Sequence, residues 1–227
     1  SIILKGDQSL SQRDFSRVIK PMKMFGQNIS SKNNKLPIKI KGTNFSRPIN
    51  YTELKGSAQV KSCILLAAMK TAGKTKIKCV PSRDHTEKLF SYLKLPIKIK
   101  KEKKFETIIF NGKKNYKGFN YIIPGDISSS SFFIALALLS KNSKILIKNV
   151  NVNDSRTGII DILKIMNAKI NLQNKRIYNG EKIADIFVKS SNKLKPINCP
   201  VEINSRSIDE FLIIFLVCSV ANGVSKF

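Results

Sequence analysis

The chain has no tryptophan, a single histidine (His85) and four cysteines, Cys63, Cys79, Cys199 and Cys218, that lie far apart. No CxxC pair is present, so the ligand spacing of a zinc site is missing and no metal is expected. A disulfide framework belongs to small secreted domains. In 227 residues these scattered thiols read as buried free cysteines in a reducing cytoplasm. Long hydrophobic runs are also missing. The longest, Phe211 to Ala221, is too short to span a bilayer, and no charged-then-apolar segment opens the chain as a signal would. A cytoplasmic protein with no membrane partner is the expectation. The first residue is Ser rather than Met, and Val224 to Phe227 read as the start of a strand, which points to a piece of a longer protein.

Acidic residues are scarce, 15 against 41 Lys and Arg, leaving a net charge of +26. Such a balance favours a polyanionic partner, nucleic acid or an anionic surface. Arginine is sparse too, however, with seven in the whole chain. Specific phosphate and base recognition uses the planar guanidinium fork, and no basic stripe here is interleaved with stacking aromatics. The lysines are strewn among asparagines and isoleucines, as an AT-rich coding bias would leave them. No nucleic-acid partner is expected, whereas an acidic small-molecule substrate fits the charge.

What is present is an internal repeat. Gly56-Ser57-Ala58-Gln59-Val60-Lys61-Ser62 leads into the apolar run Cys63 to Met69, a strand from Thr75 to Val80, the polar turn Ser82 to Glu87 and a second helix through Leu93. The plan recurs about 70 residues later, too long a period for a simple solenoid. There Gly125-Asp126-Ile127-Ser128-Ser129-Ser130-Ser131 leads into Phe132 to Leu139, a strand from Lys144 to Val150, the turn Asn153 to Gly158 and a helix from Ile159 to Met166. A third copy begins at Ser205-Arg206-Ser207-Ile208-Asp209-Glu210 and enters the helix Phe211 to Val220. Alternating segments Leu36 to Ile40, Ile97 to Ile99, Thr107 to Phe110 and Asp185 to Val188 read as strands, with Asn111-Gly112 and Asn179-Gly180 as hairpin turns. Each copy is strand–helix–strand–helix followed by strands, which makes the fold α/β by repetition. Tyr121 to Gly125 is the expected domain junction.

Ser57-Ala58-Gln59 and Ser128 to Ser131 stand where helices begin. Small hydroxyl residues there can hold phosphate on the unsatisfied N–H groups, or can simply cap the helix. Arg13, Arg83 and Arg206 can each fork onto a phosphate or carboxylate, or pair at the surface. Asp84 with Glu87 three residues on has the pattern of a capping box. Asp209-Glu210 opens a very apolar helix, either as a general base or as a match to the helix dipole.

Taken in order, eight stretches resemble those of the EPSP synthase family, the enolpyruvyl transferases of aromatic amino-acid biosynthesis. They are Gly6-Asp7-Gln8-Ser9-Leu10-Ser11-Gln12-Arg13, Leu36-Pro37-Ile38, Ser57-Ala58-Gln59-Val60-Lys61-Ser62, Ser82-Arg83-Asp84-His85-Thr86-Glu87, Pro124-Gly125-Asp126-Ile127-Ser128-Ser129, Arg156-Thr157-Gly158, Gly180-Glu181 with Ala184-Asp185, and Ile208-Asp209-Glu210. The third and fourth look like the class II bacterial form. The resemblance implies a two-domain, inside-out α/β barrel built of repeated βαβαββ-type units, with residues 1–124 in the inserted domain and 125–227 in the other. It implies a cleft site, with further family residues before Ser1 and after Phe227. It also implies transfer of the enolpyruvyl group of phosphoenolpyruvate to the 5-hydroxyl of shikimate 3-phosphate, with no cofactor, by a monomer. By the same resemblance Ser57, Ala58, Gln59, Arg83 and Asp209 would hold shikimate 3-phosphate, Arg13 and Gln59 would hold phosphoenolpyruvate, and Asp209 would accept the hydroxyl proton. Two departures stand out. Asp14-Phe15 replaces the family's Pro-Met, which sets an acid beside Arg13, and Phe211-Leu212 replaces an aromatic-Pro pair. The alternatives are enolpyruvyl transfer to UDP-N-acetylglucosamine, a basic nucleic-acid-binding protein, and a folded but inactive remnant.

Overall fold

The computed structural model describes residues 1–112 and 116–227. Its contacts divide the chain into two compact units, Ser1–Phe119 and Asn120–Phe227, so Gly125 falls inside the second.

The first unit opens with β1 (Ile2–Leu4), α1 (Gln8–Ser11), α2 (Ser16–Met24), β2 (Asn28–Ser30) and β3 (Ile38–Lys41), its strands ordered β1-β3-β2. It continues with β4 (Asn50–Glu53), α3 (Ala58–Met69), β5 (Gly73–Cys79), α4 (His85–Tyr92), β6 (Ile97–Lys101) and β7 (Glu106–Gly112). β4 and β5 run parallel with α3 as the crossover, and antiparallel β7 and β6 complete the order β4-β5-β7-β6. The period of two along β5 places Thr75, Ile77 and Cys79 inward and Lys74, Lys76 and Lys78 in water. Ile64 and Leu65 of α3 meet Ile77, Ile108 and Phe110 in a core from which water is excluded. Each such side chain contributes roughly 1.5–3 kcal/mol over its exposed state.

The second unit comprises α5 (Ile127–Leu139), β8 (Lys144–Asn151), α6 (Gly158–Ile165), β9 (Ile170–Tyr178), β10 (Glu181–Lys189), α7 (Val201–Asn204), a 3₁₀ turn (Ile208–Glu210) and α8 (Phe211–Cys218). Its sheet is ordered β8-β10-β9, with α5, α6 and α8 supplying the core through Ile134, Ile162 and Ile214. Gly125 makes a single parallel bridge to Val150, the shrunken counterpart of β4 beside β5. Asn198 bridges Lys226 in the same sense around α8, which marks the third copy. The strand orders β1-β3-β2, β5-β7-β6 and β8-β10-β9 are the same. The opening segment is thus the second half of a further copy. Its strands of three and four residues carry too little alternation for the sequence to reveal it.

Three local expectations are corrected. Asn111-Gly112 is not a hairpin turn: it ends β7, and the β6–β7 connection closes instead through Glu102 N–H to Phe105 O. Gly112 is there because its backbone lies against the end of α3, where a Cβ would come within 1.5 Å of Thr71 O and 2.5 Å of Ala68 O. Gly112→Ala is expected to destabilise the first unit by about 1–3 kcal/mol or more, whereas Gly42→Ala, with nothing within 4 Å of the new carbon, should be near neutral. Urea midpoints decide it, and equal midpoints would contradict this packing. Ser128 to Ser131 do not cap α5. Asp126 does, accepting from Ser129 N–H at 2.8 Å, while Ser130 and Ser131 are buried and donate back to the carbonyls of Asp126 and Ser128. Nor does Asp84 make a capping bond: Glu87 turns inward to Lys61. The Asn179-Gly180 turn between β9 and β10 is as expected, both residues having positive φ.

Asp185, quoted above only as part of a motif, staples two bulges. It accepts from Asn149 N–H and Asn174 Nδ2, each at 2.8 Å, where both asparagines adopt left-handed backbone and the ladder shifts register. Those bonds, Asn174 foremost, hold its carboxyl below the usual range. A depressed native pKa adds stability above the unfolded value and loses it as pH falls through the native one. Asp185→Asn should therefore flatten the acid limb of unfolding below about pH 4, followed by circular dichroism; an unaltered limb would count against the staple.

The four cysteines are free. Burial pushes the Cys79 thiol up to about 11, and those of Cys63 and Cys199 upward as well. No described helix is long and apolar enough to cross a membrane.

Candidate active site

In the first unit, Ser57, Ala58, Gln59 and Arg83 gather at two neighbouring helix starts. Gly56, with φ +67°, turns the chain out of β4, and the Glu53 carboxylate accepts from Lys55 N–H at 3.0 Å and Ser57 N–H at 2.9 Å. Ser57 then caps α3 through Val60 N–H at 3.4 Å. Ala58 and Gln59 form the first turn, whose N–H groups carry the positive end of the helix dipole. The Ser82–Glu87 turn holds the half-buried Arg83 just ahead of α4. Two contacts bind α4 to α3: Lys61 Nζ to Glu87 Oε1 at 2.6 Å, both fully buried, and Ser62 Oγ to Thr86 Oγ1 at 2.6 Å. The helix carrying Ser57-Ala58-Gln59 and the turn carrying Arg83 are thereby held side by side.

Arg17 is a residue the sequence reading missed. Its Nη2 donates to Gln59 Oε1 at 2.7 Å, from α2 across to α3. Because that bond occupies the carbonyl end of the amide, Gln59 is left to offer its N–H₂ to an acceptor. No local pattern in the sequence singles it out. Arg13 itself lies exposed before α2. Asp14 does not neutralise it: its carboxylate accepts from Ser16 N–H at 2.8 Å and Ser16 Oγ at 2.7 Å. These bonds hold the Asp14 pKa below its ordinary value, with Lys55 and Arg17 adding to the effect.

In the second unit the polar residues converge on Arg156, two residues ahead of α6 as Arg83 is ahead of α4. Asn153 builds the turn by accepting from Ser155 N–H and Oγ, and it donates to the buried Glu181 at 3.1 Å. Arg156 Nη2 then lies 2.5 Å from Ser128 Oγ, 3.3 Å from Asp126 Oδ1, and 3.8 Å from both Asp209 Oδ2 and Glu210 Oε1. Ser128 Oγ donates onward to Glu210. Burial acts to raise the Asp126 pKa, but the Ser129 hydrogen bonds and the Arg156 charge outweigh it and the net shift is downward. Glu210 is buried while Asp209 is exposed, so of the adjacent acids only Asp209 can meet a ligand. Arg206, one of the candidate anion ligands, is instead bound to Asp161 Oδ2 at 2.6 Å and Asp154 O at 2.9 Å. It is a strut.

The family model of EPSP synthase (3-phosphoshikimate 1-carboxyvinyltransferase) matches residues 1–227, the whole chain. The chain belongs to the EPSP synthase family. The 3-phosphoshikimate 1-carboxyvinyltransferase of Ruthia magnifica is 43% identical over 221 residues, covering 97% of this chain and 50% of that protein. The protein of the same name from Petrotoga mobilis is 42% identical over 225 residues, covering 97% and 51%. The EPSP synthase from Acinetobacter baumannii superposes with a TM-score of 0.83 at 36% identity, again over 97% of this chain and 50% of the other. The enolpyruvyl transferase NikO from Streptomyces tendae, at 13% identity and a TM-score of 0.61 over 94% of this chain and 51% of its own, shares the fold. The architecture is therefore the α/β arrangement of EPSP synthases, and the chain spans about half the length of the curated relatives it matches.

Proposed function

We propose that this chain is part of a cytoplasmic, monomeric enzyme that transfers the enolpyruvyl group of phosphoenolpyruvate to the 5-hydroxyl of shikimate 3-phosphate and releases phosphate. The observation that carries the reading is the placement of Ser57, Ala58 and Gln59 on the N-terminal turn of α3, tied to the Arg83 turn, in a chain of this family. Both substrates are multiply anionic. Helix N–H groups, a seryl hydroxyl and arginines supply the donors such ligands need.

In this reading Ser57, Ala58, Gln59, Arg83 and Asp209 hold shikimate 3-phosphate, and Arg13 and Gln59 hold phosphoenolpyruvate. The 5-hydroxyl oxygen bonds to the enol carbon as its proton passes to Asp209, and the methylene carbon takes up a proton. The tetrahedral adduct then loses a proton from that carbon and expels phosphate, restoring the double bond. Protons move and no electrons are exchanged with a cofactor, so acid–base groups suffice. The test is phosphate release by the full-length protein from phosphoenolpyruvate, which should require shikimate 3-phosphate. A well-folded full-length protein that releases none, or releases it equally with UDP-N-acetylglucosamine, would overturn the assignment.

A further inference from the structure

We propose that Arg156 is a positioning residue for the proton acceptor, holding the Asp209 carboxylate where the attacking hydroxyl must find it; this rests on the reading of Asp209 as the base. Arg156 and Arg83 occupy the same place in successive copies, one residue after a serine and two before a helix. In the first unit that place lies ahead of α4, which is tied to α3 by the Lys61–Glu87 and Ser62–Thr86 contacts. In the second, the corresponding guanidinium is already surrounded by the protein's own acids. Asp126, Asp209 and Glu210 all lie within ion-pair distance of the one nitrogen Nη2, which also meets Ser128 Oγ. The anion site of this copy has been turned inward, and its charge is available to orient a side chain.

The mounting is rigid. Arg156 is largely buried, and its segment is packed against the one leading to Asp209. Gly158 N–H donates to Arg206 O at 3.2 Å, and a Cβ on Gly158 would fall 2.8 Å from Ser207 Cβ. Arg206 returns to Asp154 O and Asp161 on the Arg156 side. Asp209 is exposed and lies in a short 3₁₀ turn. A cation at 3.8 Å restricts the directions open to that carboxylate.

A mutant cycle in the full-length enzyme tests this. Arg156→Lys keeps the charge but not the fork, and should lower kcat by about tenfold or more with little change in either KM. In an Asp209→Asn background the same change should lower kcat by less than about twofold, because the group it acts through is gone. An equal loss in both backgrounds would overturn the proposal, showing a general structural role, as would an undiminished kcat in Arg156→Lys alone. Full turnover in Asp209→Asn would instead remove Asp209 as base, and this proposal with it. Should Arg156→Lys lose cooperative unfolding, the cycle is run with Ser128→Ala, which deletes only the hydroxyl between Arg156 and Glu210; the same coupling is expected, and its absence overturns the proposal.

Discussion

Asp209→Asn in the full-length enzyme is expected to cut turnover by roughly a hundred- to ten-thousand-fold, the usual worth of a general base, while substrate binding persists. The amide matches the carboxylate in shape and still accepts a hydrogen bond, but it has no useful basicity. Removing a negative charge from a site proposed to hold two anions also relieves repulsion, so neither KM should rise. Stability should hardly change. The side chain is 44% exposed and its ion pair with Arg156 is long, at 3.8 Å, and such pairs contribute about 0–1 kcal/mol. Phosphate release under saturating substrates is the measurement. Turnover equal to that of the unaltered enzyme would show that another group takes the proton.

The buried ion pair between Lys61 and Glu87 should give the largest loss of stability. Their side chains are 0% and 2% exposed, with Nζ 2.6 Å from Oε1. Two charges removed from water are tolerable only together. Lys61→Met or Glu87→Leu alone strands its partner in the core and should cost about 3–5 kcal/mol, whereas the double change, apolar and of similar volume, should recover most of that or exceed the original stability. Urea unfolding of the first unit followed by circular dichroism reads the effect. A double variant no better than either single one would show that packing around the pair, and not its charge, is what matters. The same pair joins α3 to α4 alongside Ser62 and Thr86. If the pair also keeps Ser57-Ala58-Gln59 beside Arg83, even the stable double variant should bind the proposed substrate, shikimate 3-phosphate, more weakly in the full-length protein.

Much of this arrangement was legible in the chain. The repeat showed in the recurrence of a small-residue helix start, an apolar run and a polar turn. The helix beginning at Ala58 and the turns before α4 and α6 lie where that pattern puts them, because caps and turns are set by residues within a few positions of one another. Glu87 was misread for a related reason. Asp-x-x-Glu has the same local spelling whether the acid reaches back to a helix end or into the interior. The outcome was decided by Lys61, which α3 delivers to the same buried spot. The capping alternative for the serines of α5 fails similarly, since the preceding Asp126 already takes the Ser129 N–H.

By itself, then, the sequence determined the α/β repeat, the family, and which residues stand at helix starts, all properties of short contiguous segments. Tertiary structure alone decided what those residues meet. Arg206 became a strut, Arg17 took hold of Gln59, and Arg156 came to face Asp126, Asp209 and Glu210. Such pairings join segments distant along the chain. They exist only after the sheets and helices have packed, and no local pattern encodes which charge will find which partner.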